Sequence, residues 1–211
     1  MAEQLPEEHP QRQRVWSGAW RSVLLPVLAI GIIVGILWYF ETRPGGQAQT
    51  GTDLAYGVVP LPPEKNATGQ PPRPEPGRAA PDFILQTPDG RSVRLSDLQG
   101  KAVIINFWAT WCVPCRKEFP EFIQAYQEFK GQGLEILAVD LQESRELAAS
   151  FAKEFGAPFP IPLDTTGQVA AAYRITGLPV TFFIDRQGVV SSSWLGQISR
   201  ELLRERLGKI L

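Results

Sequence analysis

Cysteine, histidine and methionine are all scarce in this sequence. Its 211 residues include two cysteines, one histidine and one methionine. Two cysteines are too few for the disulfide framework of a small secreted protein. A structural zinc ion needs about four ligands, and the single histidine, His9, lies in the N-terminal tail, far along the chain from both cysteines. We therefore predict neither a disulfide scaffold nor a metal site of the zinc type.

An excess of charge of either sign is also missing. The chain carries 21 Lys and Arg against 22 Asp and Glu, a formal net charge of -1. A nucleic-acid partner is not predicted, because binding to phosphates needs a basic surface. Proline and glycine, by contrast, are plentiful, with 19 of each, and their uneven placement divides the chain into segments.

An uncharged apolar run, SVLLPVLAIGIIVGILWYF, occupies residues 22–40. At about 1.5 Å per residue it crosses most of the roughly 30 Å hydrocarbon core of a bilayer. A cleaved signal peptide is the alternative, but its apolar region is normally only about 7–15 residues long. Three arginines precede the run and one follows it closely, which favours a cytoplasmic N-terminus. We predict a short cytoplasmic tail at 1–21, a single-pass transmembrane anchor at 22–40, and an extracytoplasmic remainder.

Residues 41–78 are rich in proline and glycine, with eight prolines and six glycines. Such a composition does not build a packed core and is typical of an extended, semi-rigid linker. The only apolar patch of this segment is AYGVVPL, which either touches the following domain or nothing. We predict that the folded domain covers residues 79–211, a length that suits a single domain.

Strand and helix patterns alternate through this domain. Two apolar runs, AVIINFW and LEILAVDL, have the continuous hydrophobicity of strands that are buried on both faces. A helical pattern follows each of them, and the second helix has Ser144 as its expected N-cap and Gly156 as its end. Two hairpins are expected, DFILQ with RSVRL and VTFFID with VVSSSWL, before a final amphipathic helix. The predicted fold is α/β, a central mixed sheet flanked by helices with an N-terminal β-hairpin extension.

The two cysteines are three positions apart, in FWATWCVPCRKEFP. Cys112 follows a predicted strand and begins a helix, where unpaired N–H groups and the helix dipole stabilise a thiolate. A cysteine pKa can fall there from about 8.5 to between about 3.5 and 7.5. Pro114 is compatible with a first helical turn, which also carries Cys115. We expect Cys112 to be the exposed attacking thiol and Cys115 the more buried resolving thiol.

Other uses of the pair stay open at this point. Two thiolates could hold Cu(I), since soft ligands suit that ion. A purely structural disulfide would close a four-residue loop and would stabilise the fold little, because the entropic gain grows with the size of the loop. Inert thiols are the third alternative.

Two stretches together, APDFILQTPDGRSVRLSDLQGKAVIINFWATWCVPCRKEFP and ITGLPVTFFIDRQG, resemble the thioredoxin superfamily. The similarity is to its membrane-anchored TlpA/ResA-like branch, which includes thioredoxins of cytochrome c maturation, and it extends over residues 80–211. The resemblance implies a thioredoxin-like fold and a redox-active disulfide, with Cys112 as nucleophile and Cys115 as resolver. It also implies a cis peptide between Leu178 and Pro179, which would hold an incoming extended chain.

Many thioredoxins have a buried aspartate six residues before the first cysteine, and here that position is Asn106. An amide does not accept and return a proton, so the usual proton-handling group is missing. Glu118, at a position where ResA-like members carry an acid, is the predicted replacement, because partial burial would raise its pKa toward neutral pH. The alternative is that Glu118 is a solvated residue beside Arg116 and Lys117.

Other residues near the cysteine motif have roles that we expect from their positions. We expect Trp111, with Pro114, Leu178 and Pro179, to form the surface on which a substrate docks, whereas Trp108 is expected in the core. Three polar residues after the second buried strand either line the site or begin a loop: Asp140, Gln142 and Glu143.

The predicted function is that of a membrane-anchored, extracytoplasmic thiol-disulfide oxidoreductase that reduces disulfides in client proteins and needs no organic cofactor. The resemblance implies apocytochrome c or a copper-site protein as client and a membrane thiol-disulfide protein as electron donor. The alternatives are a Cu(I) metallochaperone of the same fold and a peroxiredoxin-like peroxidase. A peroxiredoxin would share the APDF opening but would lack a second cysteine at this spacing.

Overall fold

A computed structural model describes residues 30–36, 38–39 and 56–211. The chain divides into two compact units, Met1–Thr52 and Asp53–Leu211. In the first unit, residues 30–36 and 38–39 are helical. Across the described residues, no helix combines the length and apolar character that a membrane span requires. The predicted tail at 1–21, and residues 22–29, 37 and 40 of the predicted anchor, lie outside the described residues.

The second unit is built on one mixed β-sheet, as predicted. Its spatial order is β1-β2-β6-β5-β4-β7-β8, with β3 also paired to β2. Strands β4, β5 and β6 are parallel to one another, and the other pairs are antiparallel. The eight strands are Gly57–Val58 (β1), Phe83–Gln86 (β2), Ser92–Arg94 (β3), Ala102–Trp108 (β4), Leu134–Leu141 (β5), Leu163–Asp164 (β6), Val180–Ile184 (β7) and Val190–Leu195 (β8).

Four α-helices cover this sheet, and short 3-10 turns occur at Pro63–Lys65, Leu95–Leu98 and Lys130–Gln132. The predicted ends of the second helix are confirmed. Ser144 Oγ accepts a hydrogen bond from Leu147 N at 3.3 Å, and Gly156 ends the helix with a positive φ of 64°, a conformation that glycine adopts without strain. The helices are Val113–Phe129 (α1), Arg145–Phe155 (α2), Gln168–Ala172 (α3) and Arg200–Leu207 (α4).

The alternation of side chains along the central strands produces two hydrophobic layers. All seven residues of β4 are buried, as its continuous apolar sequence predicts. One face packs under α1, α2 and α4, and both cysteines belong to this cluster together with Trp108 and Phe119. The other face packs against α3 and Tyr173. The cysteines therefore sit at the edge of a large core, whose packing holds the start of α1 against the end of β4.

The proline-rich segment extends the sheet instead of standing apart from it. Its residues 57–58 pair with β2, which places a third strand beside the predicted hairpin of β2 and β3. The N–H of Gly77 donates to the Val190 carbonyl at 2.9 Å, and Gln99 Nε2 donates to the Lys65 carbonyl at 2.7 Å. The described part of the predicted linker, residues 56–78, thus packs on the domain. Composition did not indicate this, because in these bonds the segment contributes only backbone groups, which any sequence offers.

Candidate redox site

Cys112 and Cys115 form a disulfide at the junction of β4 and α1. Cys112 is the N-cap of α1, with extended φ and ψ of −78° and 100°, and its Sγ accepts a hydrogen bond from Cys115 N at 3.3 Å. Pro114 lies in the first turn, where its missing N–H removes no helical hydrogen bond. The Sγ of Cys112 therefore occupies the place where a capping oxygen normally sits.

This position favours a thiolate once the disulfide is reduced. The first N–H groups of a helix have no carbonyl partner within it, and the helix dipole puts partial positive charge at the same end. Both effects stabilise negative charge on Cys112 Sγ, and the thiolate is the nucleophilic form of a cysteine. The sequence prediction that the first cysteine begins the helix is confirmed.

The exposure of Cys112 differs from the prediction. Its exposed fraction is 4%, against 1% for Cys115, so both are buried although their order is the predicted one. In the disulfide-bonded form the two sulfur atoms join each other, and both residues belong to the core cluster that contains Ala109. The side chains that flank Cys112 are exposed instead: Trp111 is 69% accessible to solvent and Val113 is also exposed.

The peptide bond between Leu178 and Pro179 is cis, as the resemblance implies. Pro179 directly precedes β7, and the next residue, Val180, pairs with Phe107 near the end of β4. This register brings the cis-proline loop to the end of the sheet from which the cysteine loop departs. Leu178 is half-buried and packs against the cluster that holds both cysteines, while Pro179 is buried. The cis-proline loop and the cysteine loop thus lie at the same end of the sheet, and docking of a substrate by Trp111, Pro114, Leu178 and Pro179 stays a prediction.

Glu118 is buried rather than solvated, with an exposed fraction of 1%. Its Oε1 accepts a hydrogen bond from Asn106 Nδ2 at 3.0 Å, and its Oε2 accepts one from Ile198 N at 2.8 Å. Burial raises the pKa of Glu118 to about 7, although these two hydrogen bonds offset part of the effect. Glu118 lies one helical turn beyond Cys115, so a group able to exchange a proton near neutral pH stands beside the resolving cysteine.

Asn106 takes part in the same buried network. Besides Glu118, its Nδ2 donates to Thr181 Oγ1 at 3.2 Å on the neighbouring strand β7. Its Oδ1 accepts no hydrogen bond from any described residue. Asn106 thus orients the Glu118 carboxyl as a neutral donor, whereas a second acid at this position would place two carboxyl groups in contact.

Sequence reasoning left one part of the site open. Glu143 holds the loop that precedes Cys112: its Oε2 accepts Thr110 N and its Oε1 accepts Thr110 Oγ1, both at 2.6 Å. Asp140, at the end of β5, is fully buried. Burial, and then the adjacent Glu143, raise the pKa of Asp140 to about 8. A signal was present, because Asp140 continues the inward-facing alternation of Leu134, Ile136 and Ala138.

Within the described ranges, no group of three or more His, Cys, Asp and Glu side chains is placed to hold a metal ion. The reduced cysteine pair would still offer two soft sulfur ligands. Binding of Cu(I) by that pair stays an untested alternative.

Comparison with known proteins agrees with this geometry. A model of the AhpC/TSA family matches residues 76–193. The thiol-disulfide oxidoreductase ResA of Bacillus subtilis is 42% identical over 134 residues, which cover 64% of this chain and 75% of that protein. ResA of Geobacillus kaustophilus is 43% identical over 134 residues, 64% of this chain and 77% of the relative.

Solved structures show the same likeness. A putative thiol:disulfide interchange protein DsbE from Chlorobium tepidum is 35% identical, with a TM-score of 0.61, over 64% of this chain and 97% of that chain. StoA of Bacillus subtilis is 27% identical, with a TM-score of 0.54, over 63% of this chain and 99% of the StoA chain. The chain belongs to the AhpC/TSA family and has its thioredoxin-like fold. Within that family it is a thiol-disulfide oxidoreductase of the ResA and DsbE type.

Proposed function

We propose that this protein is a membrane-anchored, extracytoplasmic reductase of disulfides in client proteins, such as apocytochrome c or a copper-site protein. The observation that carries the proposal is the Cys112–Cys115 disulfide capping α1, with the buried Glu118 one turn further on. The helix end activates a thiolate, the second cysteine resolves the intermediate, and the carboxyl supplies or takes up the proton.

In the reducing direction the cycle begins with both cysteines reduced. The Cys112 thiolate attacks one sulfur of a client disulfide, forming a mixed disulfide and releasing the other client sulfur as a thiolate, which takes up a proton. Cys115 then loses its proton and attacks Cys112 Sγ, which breaks the mixed disulfide and releases the second client sulfur. The client gains two electrons and two protons, and the protein ends as the Cys112–Cys115 disulfide.

Glu118 is placed to handle the proton of Cys115. A carboxyl with a pKa of about 7 is partly ionised at neutral pH, so it can accept a proton from a thiol and later return it. The hydrogen bonds that it accepts from Asn106 and Ile198 hold the carboxyl within the core, on the buried side of α1. The proposal gives Glu118 the role that a buried aspartate fills in many thioredoxins.

The direction of the reaction rests on two supports. Compartments outside the cytoplasm tend to oxidise thiols, so an anchored enzyme of this type is most useful there for returning selected cysteines to the reduced form. The Val113–Pro114 pair between the cysteines also keeps the proline of the reducing Gly-Pro pair of thioredoxin. Electrons would come from a membrane thiol-disulfide protein that reduces the Cys112–Cys115 disulfide again.

The location rests on the apolar run at 22–40 and on the arginines that precede it. A protein with this topology would place residues 41–211 outside the cytoplasm. Fusing a reporter that is active only outside the cytoplasm to the C-terminus tests this directly. Active reporter in the membrane fraction is expected, whereas fusion protein that is made in full but has an inactive reporter contradicts the proposed location.

Trapping tests the clients. In a Cys115→Ser variant, the mixed disulfide at Cys112 has no resolving thiol and should accumulate, so that client proteins can be identified after alkylation and purification. The matched control is Cys112→Ser, which keeps one cysteine but should trap little. Equal trapping by both variants, or none under conditions where the unmodified protein is active, would contradict the proposed client reaction.

A further inference from the structure

Asp140 is a buried acid that the exchange reaction of the two cysteines does not use. Its side chain is fully buried, and neither of its oxygens accepts a hydrogen bond from any described residue. Its register partner on β4 is Trp108, four residues before Cys112, whose buried Nε1 also has no partner within the described residues. Buried polar groups without partners are uncommon and destabilising, so an ionisable one beside the redox loop points to a role there.

Glu143 connects this buried acid to the cysteine loop. Its carboxylate accepts two hydrogen bonds of 2.6 Å from Thr110, one from the backbone N–H and one from the hydroxyl. The carboxyl of Asp140 lies within hydrogen-bonding reach of the same Glu143 carboxylate. Two carboxylates in contact repel each other when both are ionised. Two donors of Thr110 stabilise the charge of Glu143. Burial disfavours a charge on Asp140 more strongly than the nearby Glu143 N–H favours it, so the proton belongs on Asp140.

We propose that Asp140 is a positioning residue: as a neutral acid it donates a hydrogen bond to Glu143, and Glu143 thereby clamps Thr110 and the loop presenting Trp111 and Cys112. Ionisation of Asp140 then opposes two negative charges and loosens the clamp. The loop would be fixed at neutral pH and would become mobile when Asp140 loses its proton in mildly alkaline solution.

The arginines of α1 and α2, two of the three helices that cover this face, are engaged elsewhere. Arg116 of α1 pairs with Glu154, and Arg145 of α2 donates to Gln86 Oε1 at 2.6 Å and to the Pro88 carbonyl at 3.1 Å. These bonds leave Asp140 without a described cationic partner. Its negative form is therefore unfavourable, which agrees with a pKa raised to about 8 by burial and by Glu143.

Two further ionisable groups belong to elements near Asp140. Asp164 of β6 accepts a hydrogen bond from Ala170 N at 2.8 Å, on the face of the sheet that packs against α3. Cys112 shares the core cluster on the face of Asp140, and its thiolate would add negative charge after reduction. The clamp is therefore best measured in the disulfide-bonded form, in which Cys112 does not titrate.

The amide proton of Thr110 reports directly on the clamp. Its protection from exchange with water, measured by NMR on the oxidised protein between pH 6 and pH 10 (approximate limits that bracket the carboxyl titration), is compared in the unmodified protein, Asp140→Asn and Asp140→Leu. Asparagine can donate to Glu143 and does not titrate, whereas leucine has similar volume and no donor. We expect protection in the unmodified protein to fall about tenfold above its carboxyl transition, as for loss of one charge-assisted hydrogen bond.

The two variants are expected to differ in the protection of the Thr110 amide. Asp140→Asn should keep Thr110 protected across the whole pH range, and Asp140→Leu should show about tenfold lower protection already at neutral pH. The reduced proteins are then compared for their rate with a small-molecule disulfide, divided by the fraction of thiolate measured by ultraviolet absorbance. The normalised rate of Asp140→Leu should fall, and that of Asp140→Asn should fall less.

Equal Thr110 protection in all three proteins at every pH would overturn the proposal. So would an Asp140→Asn variant as poorly protected as Asp140→Leu, because the neutral donor would then have no effect. If Asp140→Leu does not fold, the pH profile of Asp140→Asn against the unmodified protein decides alone. Failure leaves the reductase proposal intact, since Thr110 is measured in the oxidised form and without any client.

Discussion

Replacing Glu118 with glutamine should make the stability of the oxidised protein less dependent on pH. The folded protein holds the Glu118 carboxyl at a pKa of about 7, against an ordinary value of 4.5. Between these two values the folded state binds more protons at this group than the unfolded state does. The free energy of unfolding therefore falls as pH rises from about 4.5 to about 7, and the effect is complete above that range.

The magnitude follows from the distance between the two pKa values. At roughly 1.4 kcal/mol for each pH unit, burial of the Glu118 carboxyl costs about 3 kcal/mol of stability at pH 8 and almost nothing at pH 4. Glutamine has no such titration. It leaves one of the two donors, Asn106 Nδ2 or Ile198 N, opposite an amide NH₂, which costs about 1–3 kcal/mol at every pH. The pH-dependent part of the difference between the two proteins isolates ionisation from this constant loss.

The assay is denaturant unfolding of the disulfide-bonded protein at several pH values from about 4 to 8.5, the interval in which a buried glutamate titrates. Between the ends of this range, Glu118→Gln should gain about 3 kcal/mol relative to the unmodified protein. The control is Glu121→Gln, on the same helix, where a partly exposed carboxylate pairs with Arg200 at 2.7 Å and contributes about 0–1 kcal/mol. A difference for Glu118→Gln that stays constant from pH 4 to 8.5 would refute a raised pKa.

Three further predictions concern the reaction and the core. Glu118→Gln should slow resolution of the mixed disulfide about 100-fold at pH 7, the range of general acid-base catalysis, as measured by rapid-mixing kinetics with a model disulfide. Phe119→Ala should lower the free energy of unfolding by about 3–5 kcal/mol, measured by denaturant titration, because its ring contacts Trp108 with centroids 5.4 Å apart. Asp82→Asn should destabilise the protein by about 1–3 kcal/mol in the same titration, since it breaks the ion pair at 2.8 Å between the buried Asp82 and the partly exposed Arg94.

Each of these has an outcome that counts against it. Unchanged resolution in Glu118→Gln would show that another group handles the proton. A loss below about 1 kcal/mol in Phe119→Ala would contradict its place in the core. For Asp82→Asn, the double variant with Arg94→Met is the control, and it should recover part of the loss because it removes the unpaired charge.

The strands, the helices and the chemistry of the cysteine motif could be predicted because each rests on a local pattern. Strand β4 is a continuous apolar run, α2 has its capping serine and terminal glycine, and Cys112 follows the run at the start of a helix. The place of Glu118 on the helix beside Cys115 indicated partial burial and left a solvated carboxyl as the alternative, and the structure buries it fully. These features depend on residues that are neighbours in sequence or one helical turn apart.

Other features depend on contacts between distant segments, which no local pattern contains. The bond of Glu143 to Thr110 spans 33 residues, and the strand at 57–58 is held by backbone pairing with β2. The low exposure of Cys112 depends on how the loop packs against the core. An inward-facing acid at Asp140 was visible in the alternation along β5, but its partner was not.

The reduction potential of the Cys112–Cys115 couple tests the central proposal most directly. The purified domain is equilibrated with thiol-disulfide buffers of known potential, and the fraction of reduced cysteine is read after alkylation by mass spectrometry. A reductase should have a potential on the thioredoxin side of the scale, below about −200 mV. A potential near −120 mV, where strong oxidants of thiols lie, would contradict the proposed direction. The protein would then oxidise the thiols of its clients.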